Sequence, residues 1–330
     1  MTKLSNTFQI HNEHFHSILG PTPTLQLLAE NEAYPFAHEA GVFIASTNHL
    51  FITSTRIKDA QGEQSVRITR VHLNETPVKC EEIPTSIPLA NGGVNYGDDG
   101  PSGLYLMSTT PPYTTKLLKE DFYGRPFSSV NDVVVHSDGS IWFTDPTYGF
   151  EQGYRPKPSL PSQVYRWNPV NENIRAMADG FGKPNGICFS PDEKTVYVTD
   201  THWLHGDGST DDQRVSSMYG LSLRIISSQY AFDVSIYHGE PFLTNRRLFA
   251  MADKGIPDGI KCDLDGNVYS GCGDGINVWS PGGVLLGRIL IDGGVANFCF
   301  GRGGEVFALN EHRLWRVQLG GDVKGALLGI

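Results

Sequence analysis

Short apolar runs separated by polar turns recur along the chain, and the clearest example is Val130–Tyr148, VNDVVVHSDGSIWFTDPTY. Val133-Val134-Val135 is followed by Ser137-Asp138-Gly139 and then by Ile141-Trp142-Phe143. Two β-rich runs flanking an Asp-Gly turn predict a β-hairpin. The pattern returns at Pro184–Thr201, PNGICFSPDEKTVYVTDT, with Ser190-Pro191-Asp192-Glu193 as the turn, and again at Pro257–Ser270, PDGIKCDLDGNVYS. A copy begins at Val295 (VANFCFGRGGEVFALN), another covers Phe36–Thr55 (FAHEAGVFIASTNHLFITST), and a degenerate one covers Ala90–Ser108, its turn widened around Asp98-Asp99-Gly100. Each copy is headed by an amide or carboxylate: Glu39, Asn91, Asn131, Asn185, Asp258 and Asn297.

Successive heads lie 52, 40, 54, 73 and 39 residues apart. About 40–50 residues per four-stranded unit is the spacing of β-propeller blades. Six units therefore predict an all-β, six-bladed β-propeller, one domain over residues 1–330. The N-terminal segment, about residues 1–30, is left over, and a strand near Phe8 is expected to close the ring against the last blade. The long gap between Asn185 and Asp258 holds His202–Arg214, rich in Gly, Asp and His, which reads as an insertion over one face.

Composition narrows the class of partner. Lys+Arg 26 against Asp+Glu 36 leaves a net charge of -10, with no basic run, so nucleic acid and anionic membrane are poor partners. No apolar run approaches the ~20 residues of a transmembrane helix. The start, MTKLSNTFQI, lacks the apolar stretch of a secretory signal, which gives a cytoplasmic expectation. The five cysteines form no CxxC pair and read as reduced core thiols.

The propeller reading brings the heads together. Each innermost strand runs beside a central channel, so the heads converge on one rim. Two carboxylates and several amides meeting there repel and are poorly solvated without a cation. All the donors are oxygens, which suits Ca²⁺, or Mg²⁺ and Mn²⁺, rather than structural Zn²⁺. No G-x-S-x-G nucleophile elbow occurs, which argues against a serine esterase. Asp263-Leu264-Asp265-Gly266 lacks the glutamate of an EF-hand loop, and Asp145 and Asp200 read as structural strand ends.

The segments HEAGVF, VNDVVVHSDGSIWFTDPTYG, KPNGICFSPDE and PDGIKCDLDGNVY resemble the gluconolactonase / senescence marker protein / luciferin-regenerating enzyme family, most nearly its fungal-type lactonohydrolase branch. The resemblance runs from Phe36 to about Trp315. It implies a six-bladed propeller whose central divalent cation is held by a glutamate, one or two asparagines and an aspartate. By motif these are Glu39, Asn131, Asn185 and Asp258. Ca²⁺ is the first expectation for the ion, with Mg²⁺, Mn²⁺ or Zn²⁺ as alternatives.

The resemblance also implies hydrolysis of a small-molecule lactone. Asp258 would take the proton from the attacking water, with Glu39 as the second choice. Asn91 and Asn95 would line the substrate pocket, with His38, His202 and Trp203 at its rim. Many members carry Glu-Gly-Pro where this chain has Glu39-Ala40-Gly41. Two other readings stay open at this point: a propeller enzyme of another class (an isomerase or a condensing enzyme) and a non-catalytic Ca²⁺-binding propeller. Oligomeric state is not assigned.

Overall fold

In the computed structural model, residues 7–87, 89–91, 103–202 and 228–329 are described. The repeated hairpins form as their turn chemistry requires. Val133–Val135 pairs antiparallel with Ile141–Asp145, Val134 opposite Trp142. The connection turns at Gly139, whose φ of 82° lies in the left-handed region that glycine enters freely. His136 N–H donates to the Ser140 carbonyl at 2.9 Å to close it.

Each such hairpin is the inner half of an antiparallel sheet, and the sheets stand around a common axis as a β-propeller. The Asn131 blade continues through Gln163–Trp167 and Ile174–Ala178. The Asn185 blade is Pro184–Phe189, Thr195–Asp200, Ser228–Tyr237 and Glu240–Met251. The Asp258 blade is Ile260–Cys262, Val268–Cys272, Gly275–Trp279 and Leu285–Leu290. Asn297–Phe300, Glu305–Asn310 and Arg313–Gln318 form the last blade, and Glu39–Ile44, His49–Thr53, Ile68–His72 and Lys79–Glu82 the first. Blades pack face to face, so second strands are covered on both sides: every residue of Val268–Cys272 is buried. That is why these strands read as unbroken apolar runs rather than as alternating ones.

Apolar clusters lie between neighbouring blades. Trp142 and Val164 of the Asn131 blade pack with Ile187, Phe189 and Val198 of the next. Phe43 and Leu50 of the Glu39 blade meet Phe307 and Leu309 of the last, across the point where the ring closes.

Two expectations are corrected. The blade count is five, not six: among the described residues there are five sheets of four or five strands. Among the described residues the unit headed by Asn91 contributes two-stranded sheets alone, Leu104–Met107 with Thr115–Lys119 and Asp121–Phe122 with Arg125–Pro126. Its expected first strand and widened turn fall in 92–102, outside the described residues.

The second correction concerns Phe8. The strand Phe8–Ile10 does not join the last blade; it pairs with Leu285–Leu290 as a fifth strand of the Asp258 blade. The last blade is instead completed by Thr24–Glu30, which pairs along Arg313–Gln318. The helix Phe15–Leu19 carries the chain from one blade to the next, burying Phe15, Ile18 and Leu19. Gly287 makes this crossing fit, because a Cβ there would stand 2.1 Å from the Phe15 ring. The N-terminal segment thus staples two neighbouring blades. Among the described residues no helix is long and apolar enough to cross a membrane.

Candidate functional site

Two hydroxyls and two carboxylates, repeated from blade to blade, set the positions of the heads. In IWFTD and VYVTD the threonine points at the next blade and the aspartate at its own. Thr144 accepts Asp132 N–H at 3.1 Å and donates to the Asn185 carbonyl at 2.6 Å. Thr199 accepts Gly186 N–H at 2.7 Å and donates to the Asp258 carbonyl at 2.8 Å. Asp145 accepts the N–H groups of Ser128 and Ser129, at 2.9 and 2.6 Å, and so holds the chain entering Asn131. Asp200 does the same for Gly182 and Lys183, ahead of Asn185. Asp145 and Asp200 are structural, as expected, but what they structure is the rim.

The ring is continued by backbone. Gly259 N–H donates to Ala296 at 2.9 Å, tying the Asp258 blade to the last. Asn297 then donates its amide to Glu39 Oε2 at 2.6 Å while its own oxygen accepts Phe298 N–H at 2.8 Å. Asn297 therefore orients Glu39.

Glu39, Asn131 and Asn185 are buried and Asp258 is half-buried. Asn131 Oδ1 and Asp258 Oδ1 are buried with no hydrogen-bond partner among the described residues. Tyr148 hydrogen-bonds the Asn185 side chain and Thr201. Burial pushes Asp258 well above the usual carboxylate range, and the facing Glu39 charge pushes it further. Burial likewise raises Glu39, against the pull of His38 and the Asn297 amide.

His38 is half-buried, which works against its protonation. Glu311 accepts its Nδ1–H at 2.6 Å and, with Glu39 and Asp258, overrides that and raises it to about 10. The other Glu311 oxygen takes the Thr55 hydroxyl at 2.6 Å. Below the heads, Asp132 accepts Val133 and Ile187 N–H groups and faces the Lys261 ammonium at 3.5 Å.

Not every expected residue joins this cluster. Asn91 is half-buried, and among the described residues no hydrogen bond links it to another head. Asn95, Trp203 and the rest of the insertion lie outside the described residues. His202 is exposed and packs over Gly182, where a Cβ would stand 2.1 Å from its ring. Sequence reasoning missed Thr144, Thr199, Tyr148, Glu311 and the Asp132–Lys261 pair. Only the Thr-Asp repeat at two strand ends carried a readable signal.

The family model describing the SMP-30/gluconolactonase/LRE-like region matches residues 39–204. The lactonohydrolase oryL of Aspergillus oryzae is 31% identical over 92% of this chain and 70% of its own length. The chain belongs to the SMP-30/gluconolactonase/LRE-like family. A gluconolactonase of Zymomonas mobilis is 27% identical over 69% of this chain, which spans 63% of that relative's length. Among solved structures, a gluconolactonase of Xanthomonas campestris superposes with a TM-score of 0.63 at 24% identity, covering 95% of this chain and 94% of its own. Regucalcin of Agrobacterium tumefaciens, described as calcium-binding, gives 0.59 at 16% identity over 92% and 95%. At these identities the two structures speak for the fold.

Proposed function

We propose that this chain is a metal-dependent lactonase, with Glu39, Asn131, Asn185 and Asp258 holding one divalent cation. The observation that carries the reading is the pair of buried oxygens, Asn131 Oδ1 and Asp258 Oδ1, that have no hydrogen-bond partner among the described residues. A buried acceptor left without a donor costs about 1–3 kcal/mol, so two at one rim fit a bound cation. Charge points the same way: among the described residues Glu39, Glu311 and Asp132 all bear on Asp258 with like charge, against His38. Carboxylate and amide oxygens are hard donors, which places Ca²⁺ first among the candidates. The calcium binding of the regucalcin neighbour and the names of the lactonohydrolase and gluconolactonase relatives support the same reading.

When bound, the ion supplies a Lewis acid that polarises the lactone carbonyl. The protein's own groups do the rest. Asp258, raised by burial and by Glu39, accepts a proton from the water that attacks the carbonyl carbon. The ring C–O bond breaks, and that proton passes to the departing alkoxide, giving a hydroxy acid. Asn297 keeps Glu39 turned to the rim, Tyr148 keeps Asn185 there, and Glu311 fixes His38 by its Nδ1.

The test is proton release from a lactone panel, with and without chelator, on wild type and Asp258→Asn. The variant should retain metal, because an amide oxygen still coordinates, yet lose about 10²–10⁴ of turnover. Normal turnover by a fully metal-loaded Asp258→Asn enzyme removes Asp258 as the base. No proton release from any lactone by metal-loaded wild type favours an isomerase or condensing enzyme.

A further inference from the structure

The inner strands Pro184–Phe189 and Ile260–Cys262 run side by side down the channel, and each carries a cysteine below its head. Cys188 lies three residues past Asn185 and Cys262 four past Asp258. Their sulfurs are 3.7 Å apart. Both border a cavity of about 640 Å³ lined further along the inner strands than the heads, by Val133, Ile187, Lys261 and Phe300 among others. Bordering both sulfurs, it gives a small neutral oxidant a route to two thiols that are otherwise buried.

We propose that Cys188 and Cys262 form a redox modification site, closed by peroxide into a disulfide between the Asn185 and Asp258 blades. The two sulfurs have distinct surroundings. Lys261, which lines the same cavity, interacts electrostatically with Cys188, and Cys188 is the sulfur that reacts first. Cys262 is pushed well up by its hydrogen bond with Cys188 and by burial, so it stays a neutral thiol and acts second. Cys188 sulfur attacks one peroxide oxygen, the O–O bond breaks, and the products are a sulfenic acid and water. Cys262 then displaces hydroxide from that sulfenic acid, giving the disulfide and a second water. One peroxide is reduced to two waters and two thiols are oxidised.

Closing to a disulfide length of about 2.05 Å draws the sulfurs together by about 1.7 Å. The strands that move carry Asn185 and Asp258, and they already touch: a Cβ on Gly186 would stand 2.5 Å from the Asp258 carbonyl. The disulfide therefore shifts two of the four proposed ligands against each other, and oxidation weakens Ca²⁺ binding. This second step rests on the proposed metal site; the disulfide does not.

The experiment uses the Cys80→Ser protein, which removes the exposed thiol and leaves four. Peroxide treatment should reduce the titratable thiols from four to two, with Cys188 and Cys262 joined in the peptide map and reversal by dithiothreitol. Adding Cys262→Ala should leave a sulfenic acid at Cys188 that dimedone traps. Four thiols surviving, a cross-link to Cys272 or Cys299, or an overoxidised Cys188 with no cross-link each overturns the site. Calorimetric titration with Ca²⁺ should show several-fold weaker binding after oxidation. Equal affinity in both forms refutes the coupling. A reduced protein that binds no Ca²⁺ at all sinks the metal reading and leaves the disulfide result standing.

Discussion

Replacing Thr199 by valine keeps the side chain's shape and removes one hydroxyl. That hydroxyl is fully buried; it accepts Gly186 N–H at 2.7 Å and donates to the Asp258 carbonyl at 2.8 Å. Valine leaves a donor and an acceptor orphaned together. Each costs about 1–3 kcal/mol, so the expected loss of folding stability is roughly 2–6 kcal/mol. The carbonyl released is that of a proposed ligand, and Asp258 loses its tie to the neighbouring blade. Ca²⁺ affinity should therefore fall about tenfold, which is about 1.4 kcal/mol. Urea unfolding followed by tryptophan fluorescence, with excess Ca²⁺ and with chelator, measures both effects on one protein. Thr199→Ser keeps the hydroxyl and should lose only the buried methyl, about 1 kcal/mol, with Ca²⁺ affinity retained. A valine variant within about 0.5 kcal/mol of wild type refutes the hydrogen-bond argument. One that is destabilised yet binds Ca²⁺ normally shows that the bridge does not position Asp258.

Three further outcomes are expected. Ala40, beside Glu39, sits at φ 54°, a left-handed conformation that costs a non-glycine residue about 1 kcal/mol or more. Ala40→Gly should raise stability by about 1 kcal/mol in the same assay, and a loss would show that the Ala40 methyl group packs usefully. Burial raises Asp145 to about 7, overcoming the two backbone N–H donors that favour its carboxylate. Its folded value lies above the unfolded one, so its contribution is full below about pH 4 and is lost as pH rises through about 7. The stability gap between wild type and Asp145→Asn should narrow over that window, and a pH-independent gap would overturn the assignment. Chelator should lower the melting temperature of metal-loaded wild type, and Ca²⁺ should restore it. An unchanged melt with metal removed contradicts a cation shared by several blades.

The hairpins and four of the rim residues were legible because the information is local. An Asp-Gly or Ser-Pro-Asp turn between two apolar runs folds on itself wherever it occurs, and the residue at or just before the start of the first strand inherits its place at the rim. Glu39, Asn131, Asn185 and Asp258 follow from that rule together with the family resemblance. What sequence could not decide are the contacts that exist only once the ring has formed. Phe8 carries a strand signal but nothing that names Ile289 as its partner, and Thr24–Glu30 completes the last blade instead. The Asn91 unit has a head but not the paired runs of a full blade. Asn297 meets Glu39 across 258 residues and Glu311 meets His38 across 273. The sulfurs of Cys188 and Cys262, 74 residues apart, face each other only because adjacent blades bring their inner strands together. Short-range torsion and turn chemistry determined each blade, whereas packing around the axis determined which groups meet.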